Sequence, residues 1–221
     1  RFLDPFFDPG NQYSVPYAWG GTVLIYRKDK ISKPEADWNA LWDTKLPRGR
    51  IGMVDYTYDI YPAALHRLGL PTLSQDLEHL AAATEVLVKH VEEVGTVYDG
   101  GWDLAQQVIA GEVWLALCYD ADAKLALQTK PDEIGVVTPP LVAGWFVDSL
   151  AISKDCQNPK AAHAFVNFML LQNSAKKNAR DGYFNSPHIA GDKFFPDALL
   201  EQDFAGGPPQ KSWSEEARQL T

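Results

Sequence analysis

Cysteine is scarce in this chain: Cys118 and Cys156 are the only two, and no CxxC spacing occurs. Two are too few for a disulfide framework and leave the redox compartment unread, while a single bridge between them stays open. Long apolar runs are also missing. Phe165–Leu171 is interrupted by Asn167 and Val113–Tyr119 follows Glu112, so both fall far short of the ~20 residues that cross a bilayer as a helix. Basic charge is in deficit, with 20 Lys+Arg against 29 Asp+Glu and a formal net charge of −9. Such a surface suits cationic partners and is a poor match for the phosphates of nucleic acid or anionic lipid. No GxxxxGK[ST], GxGxxG or GxSxG occurs, so neither a phosphate-cradling loop nor a nucleophile elbow is offered. The five histidines (His66, His79, His90, His163 and His188) form no HxxxH or HxH pair. Each reads as a helix-surface or packing residue, and no zinc site is suggested. Nothing here points to an enzyme or to a cofactor.

What is present describes a folded chain. With 221 residues, 46% hydrophobic and 22% charged, there is material for one large domain or two small lobes. Tyr13–Tyr26 is rich in β-branched and aromatic residues and reads as strands broken at Gly20-Gly21. Glu35–Trp42 reads as a short amphipathic helical turn. Ile51–Asp55 reads as a buried strand, followed by a helix from about Ile60 to Leu68 that Gly69 ends. Ser74 is placed to cap a helix reaching about Val94, with Leu77, Leu80, Ala81, Thr84, Leu87, Val88 and Val91 on its apolar face. A helix over Trp102–Ala110 and strands over Val113–Tyr119, Ile134–Val137 and Phe146–Ile152 follow. Asn158-Pro159 then opens a helix through Leu171. Alternating strands and helices make the class α/β.

Two stretches carry the most information: Tyr13-Ser14-Val15-Pro16-Tyr17-Ala18-Trp19-Gly20-Gly21-Thr22 and Phe146-Val147-Asp148-Ser149-Leu150-Ala151-Ile152. Beside them stand Asp37-Trp38-Asn39-Ala40-Leu41-Trp42-Asp43, Gly111-Glu112-Val113, the run Lys154–Leu170 with its Asn158-Pro159 and Ala162-His163, and Gly182-Tyr183 with Ser186-Pro187. In order and over essentially the whole chain, these pieces resemble the polyamine-binding (spermidine/putrescine) proteins of bacterial ABC importers. Members of that family carry YSVPYxWGTTxxxY, SWADLWD, (W/F)xDxLAIP, KNPxxAHxFxNFxL and GYxSPN. The resemblance implies a two-lobed periplasmic-binding-protein-like fold of type II. On that comparison residues 1–20 end the first lobe and cross a hinge, and 21–146 form the second α/β lobe. Residues 147–191 return to the first lobe, and 192–221 cross back to the second. The chain opens Arg1-Phe2-Leu3-Asp4-Pro5 without Met or leader, and most of the first lobe is expected to be absent from it.

The resemblance also implies a site. A polyamine is a flexible methylene rod with ammonium charges, so capture needs spaced carboxylates with aromatic faces between them. Asp148 matches the family's amine-binding aspartate, and Phe146, two residues earlier on the strand, shares its face. Tyr119 stands where the family has a strand-ending Trp, and Asp122 matches a second acidic position of the putrescine-binding members. Asp59 aligns with a glutamate that pairs with a distal amine, and Tyr183 matches the Tyr of GYxSP. Taken singly, Asp59 reads equally as a helix cap, Asp122 as a loop carboxylate, and Phe146, Tyr119 and Tyr183 as packing aromatics. Asp148 is the hardest to explain structurally, because a buried carboxylate without a partner is costly.

Departures from the family shape the expected ligand. Tyr56 replaces the first carboxylate of Asp-x-x-Glu, which favours putrescine over spermidine. Gly100-Gly101 removes a hydroxyl, and one extra residue separates Tyr183 from Ser186. The implied partners are a small-molecule polyamine and a membrane permease, with no nucleic acid. The implied protein is a monomer, periplasmic or lipid-anchored outside the cell. A different small solute, a sensor domain using the same clamp, and an enzyme on the same architecture are the competing readings.

Overall fold

A computed structural model describes residues 5, 7–98, 100–139, 146–183 and 185–187. The expected return of residues 192–221 to the second lobe lies outside the described residues. The chain divides into two compact units: Arg1–Gly20 with Trp145–Thr221, and Gly21–Gly144.

The Gly21–Gly144 unit is built on five strands: β2 (Thr22–Arg27), β3 (Ile51–Val54), β4 (Thr96–Tyr98), β5 (Leu115–Tyr119) and β6 (Ile134–Val137). Their spatial order is β4-β3-β5-β2-β6, with β3 parallel to β4 and β5, and β2 antiparallel to β5 and β6. Every residue of β2 is buried. An unbroken apolar run such as Val23-Leu24-Ile25-Tyr26 belongs in a sheet interior covered on both faces, not at an edge. Helices α1 (Thr57–Arg67), α2 (Leu77–Glu93), α3 (Gly101–Ala110) and α4 (Asp120–Thr129) supply the connections that parallel strands require. Leu24, Ile25, Ile51, Met53, Leu104, Leu115 and Leu117 form the fully buried centre.

The structure corrects several sequence expectations here. Helix α1 starts a turn before Ile60, at Thr57. Helix α2 is capped by Asp76, whose carboxylate accepts from the N–H groups of Glu78 (2.8 Å) and His79 (3.4 Å). Ser74, expected in that place, accepts from Asp76 N–H at 3.2 Å and bonds His79 at 2.8 Å. The buried stripe of α2 is also rotated from the expected one. Leu77, Val88 and Val91 are exposed, while Ala83 is buried and Leu80 and Leu87 pack with it on Ala64 and Leu65 of α1. His90 is the other buried residue of this helix, and an apolar template does not count a histidine. Helix α4 escaped the sequence pattern for a related reason. Its buried positions include Asp120 and Lys124, which meet at 3.3 Å as an i,i+4 ion pair.

His90 has a predictable consequence. It is 1% exposed, lies edge-on to Trp42 at 5.7 Å between ring centroids, and neither ring nitrogen has a partner among the described residues. Burial lowers its pKa from 6.5 to about 4. A base whose folded pKa is depressed carries no protonation penalty above pH 6.5, and stability is lost as pH falls toward 4 because the unfolded state binds the proton first. The loss amounts to about 3 kcal/mol. His90→Leu should be neutral or stabilising at pH 7, since no hydrogen bond is lost. It should also flatten the fall in urea midpoint between pH 6.5 and 4; an unchanged pH profile would show that His90 is not the acid-labile group.

The other unit pairs β1 (Ser14–Gly20) antiparallel with β7 (Phe146–Ala151). A bulge falls between Pro16 and Ala18, as expected where proline cannot donate to the ladder. Asp8 anchors the entering turn, accepting from the backbone N–H of Gln12, Tyr13 and Ser14 and from the Ser14 hydroxyl. Helix α5 (Pro159–Leu170) has the expected Asn158 cap, which accepts from Ala161 N–H at 3.1 Å, and α6 (Gln172–Gly182) follows directly. Cys118, buried in β5, and Cys156 are both free thiols.

Candidate functional site

In the β4-β3-β5 part of the sheet, the chain leaves β3 to one side for β4 and later returns on the other side as β5. The gap between β3 and β5 is therefore a topological switch point, and in open α/β sheets ligands bind beyond the carboxyl ends of strands at such a point. Three of the expected site residues lie there. Asp59 sits in the first turn of α1, which follows β3. Tyr119 ends β5, and Asp122 sits in the first turn of α4.

The cluster is bonded and tightly packed. The Tyr119 hydroxyl donates to Asp59 Oδ2 at 2.7 Å across 60 residues of sequence. Asp59 is 3% exposed, and burial raises its pKa despite the Tyr119 bond that opposes the rise. It is the third residue of its helix, after an N-cap Tyr56 whose side chain makes no capping bond, so the cap reading of Asp59 does not hold. Asp122 has the same place in α4 after Tyr119. Burial, and then the neighbouring Asp120 charge, push its carboxyl up to about 6. Helix N-termini ordinarily favour carboxylates; here desolvation wins. Burial first, then the Asp59 bond and charge, raise the Tyr119 hydroxyl far above its ordinary value.

Two features of this cluster were not legible as site chemistry. At Gly101, which opens α3, an ideal Cβ would lie 2.2 Å from Asp122 Oδ2 and 2.9 Å from Tyr119 Cδ2. The missing side chain thus lets the α3 terminus close against both, a role that its sequence position between Gly100 and Trp102 does not reveal. Exposed aromatics also flank the cluster. Tyr56 and Tyr58 have ring centroids 6.0 Å apart, and Trp102 follows Gly101 directly. Behind the cluster, Asp120 exchanges bonds with Gly21 where the chain enters β2: its N–H donates to Gly21 O at 2.9 Å, and its carboxylate accepts from Gly21 N–H at 3.3 Å.

Phe146, Asp148 and Tyr183 belong to the other unit. On β7, Phe146 is registered against Gly20 and Asp148 against Ala18, so ring and carboxylate share one face opposite the two smallest side chains of β1. Both are half-buried, and burial raises the Asp148 carboxyl pKa. Among the described residues, neither Asp148 nor Asp122 has a cationic side chain paired with it. Tyr183 closes α6 in a left-handed conformation, φ 57°. Two residues on, Asn185 trades backbone bonds with Trp19 at 3.0 and 3.2 Å. Trp19 is in turn registered against Val147, between Phe146 and Asp148, so Tyr183 is tied to the same small sheet. No cluster of His, Cys, Asp and Glu able to hold a metal occurs among the described residues, and no described helix is long and apolar enough to cross a membrane.

Comparison with known proteins agrees with this architecture. The spermidine/putrescine-binding periplasmic protein of Salmonella typhimurium is 31% identical over 210 residues, covering 90% of this chain and 59% of its own length. The putrescine/cadaverine-binding protein of Pseudomonas aeruginosa is 26% identical over 222 residues, with 90% and 62% covered. This chain thus spans about half to three fifths of the length of the curated relatives it matches. In fold it is similar to a spermidine/putrescine ABC transporter substrate-binding protein of Streptococcus pneumoniae, with a TM-score of 0.76 at 22% identity, covering 99% of this chain and 70% of the other. Residues 2–192 match the bacterial extracellular solute-binding protein family. A periplasmic-binding-protein-like α/β fold, carboxylates at a sheet switch point and a family match over most of its length together make this chain a member of the bacterial extracellular solute-binding proteins.

Proposed function

We propose that this chain is part of the extracytoplasmic substrate-binding subunit of an ABC importer, that it captures a polyamine with a preference for the diamine putrescine, and that it hands the ligand to a membrane permease without chemical change. The observation that carries this reading is the state of Asp122 and Asp148. Both carboxyl pKa values are raised by burial, Asp122 lies near Tyr119, Asp148 shares a strand face with Phe146, and neither is paired with a cationic side chain among the described residues. An ammonium group repays that desolvation through charge-assisted hydrogen bonds, and an aromatic face adds ~0.5–2 kcal/mol. In this proposal Asp122 and Asp148 are ammonium-binding carboxylates, Tyr119, Phe146 and Tyr183 are aromatic contacts for methylenes, and Asp59 belongs with Tyr119. Tyr56, standing where a second carboxylate would receive a third amine, supports the preference for a diamine. The names of the curated relatives support the same ligand class. The protein acts as a monomer in the periplasm, or tethered by lipid outside the cell.

Calorimetric titration of the longest natural form of the polypeptide with putrescine, cadaverine and spermidine tests the proposal. Saturable 1:1 heat, tighter for putrescine than for spermidine and with no product formed, is expected. Absence of heat with all three would remove polyamines as the ligand class, and tighter spermidine binding would overturn the role given to Tyr56.

A further inference from the structure

Asp59 and Tyr119 are not two independent ligand contacts. We infer that Asp59 is a positioning residue: it holds the Tyr119 hydroxyl, so that the Tyr119 ring presents its face beside Asp122, and it does not itself meet the bound cation. This rests on the polyamine reading above and changes the roles within it.

Three observations carry the inference. Asp59 is 3% exposed, so its carboxylate is withdrawn from solvent. Its Oδ2 is already engaged by the Tyr119 hydroxyl at 2.7 Å. The ring of Tyr119 is fixed on another side by Gly101, where a Cβ would stand 2.9 Å from Tyr119 Cδ2 and 2.2 Å from Asp122 Oδ2. A tyrosine held at its hydroxyl and bounded at its ring edge is locked in one orientation, which is what an aromatic platform for a flexible methylene chain requires. The bonded pair also explains how a carboxylate this buried is tolerated: a hydroxyl donor at charge-assisted distance offsets part of its desolvation. The accessible anionic group of this unit's cluster is then Asp122, and the unit meets a single ammonium group.

The test is a double-mutant cycle read by calorimetry with putrescine, using Asp59→Asn, Tyr119→Phe and the pair, in the longest natural form of the polypeptide. Positioning predicts that Asp59→Asn weakens binding about tenfold when Tyr119 is present and less than twofold in the Tyr119→Phe background, because both substitutions break the same bond. An equal loss in both backgrounds would overturn the inference and make Asp59 a direct contact. Should Asp59→Asn fail to fold, Tyr119→Phe alone decides: about tenfold weaker binding supports the inference, and binding within twofold of the parent defeats it. A ligand-independent readout separates this inference from the polyamine reading. The Tyr119 Cζ carbon signal at pH 7, assigned by its loss in Tyr119→Phe, should shift in Asp59→Asn because the hydroxyl loses its carboxylate acceptor. If no polyamine binds but that shift is seen, the pair is real and only the ligand class falls. If the shift is absent, the positioning role falls whatever binds.

Discussion

Asp148→Asn is expected to weaken diamine binding by about 10- to 1,000-fold while leaving the melting temperature unchanged or slightly raised. The substitution keeps the shape of the side chain and removes its charge. That range is about 1.4–4 kcal/mol, the scale on which losing one partner of an enclosed charged hydrogen bond costs affinity. The parent carboxyl is already held up by burial with no cation beside it among the described residues, so neutralising it relieves the unliganded protein. A drop in affinity with unchanged stability therefore identifies a ligand contact, whereas a drop in both would identify a structural residue. The measurement is parallel calorimetry and thermal melting of parent and variant. Repeating the titration at higher salt adds a check, since an enclosed pair is screened less than a surface pair; affinity that collapses with salt would place the interaction on the surface.

Asp122→Asn is expected to make the protein more stable and the complex weaker. The folded pKa of about 6 stands above the ordinary 3.8. Between pH 3.8 and 6 the folded state therefore binds more protons than the unfolded state, and stability falls as pH rises through that window. Above pH 6 the full penalty, at most about 3 kcal/mol, is present. Asparagine removes it, so the variant should gain stability at pH 7 and show none of the gain below pH 3.8. The same shift governs binding. A cation meets the ionised form, so affinity of the parent should fall about tenfold for each pH unit below 6, and the variant should lack that dependence. Burial sets this titration first, and then the charge of Asp120, which is itself paired with Lys124. Denaturant melts and titrations from pH 4 to 8 provide the check. A variant that is destabilised at pH 7, or that binds as tightly as the parent at every pH, would remove Asp122 from the site.

Much of the frame was legible because it is written in local signals. The break at Gly20-Gly21, the strand opening at Ile51, the left-handed Gly111 closing α3 and the Asn158-Pro159 helix start all lie in the structure where the residue types put them. What failed were places where polar residues do structural work. Asp76 displaced Ser74 as a cap because its carboxylate reaches two N–H groups. His90 occupies a buried stripe, and Asp120 with Lys124 hides helix α4 from an apolar pattern. The Asp76 cap was decided locally, by the reach of its carboxylate, whereas His90 against Trp42 and Asp120 against Gly21 are buried polar residues with tertiary neighbours that hydropathy does not report.

The sequence by itself determined the class of this protein: an acidic α/β chain carrying the motifs of an extracellular solute-binding family, with Asp148 conspicuous in an apolar strand. It also named Asp59, Tyr119 and Asp122 as candidates, but not as a group. Only the tertiary structure decided that β5 lies beside β3 and not beside β4, with β2 antiparallel on its far side. That order carries the end of β5 to the start of α1 and joins residues 60 positions apart in one hydrogen bond. Local periodicity reports which face of an element is apolar. Strand order comes from how those faces bury one another, and at this site it turned a separate aspartate and tyrosine into a single bonded unit.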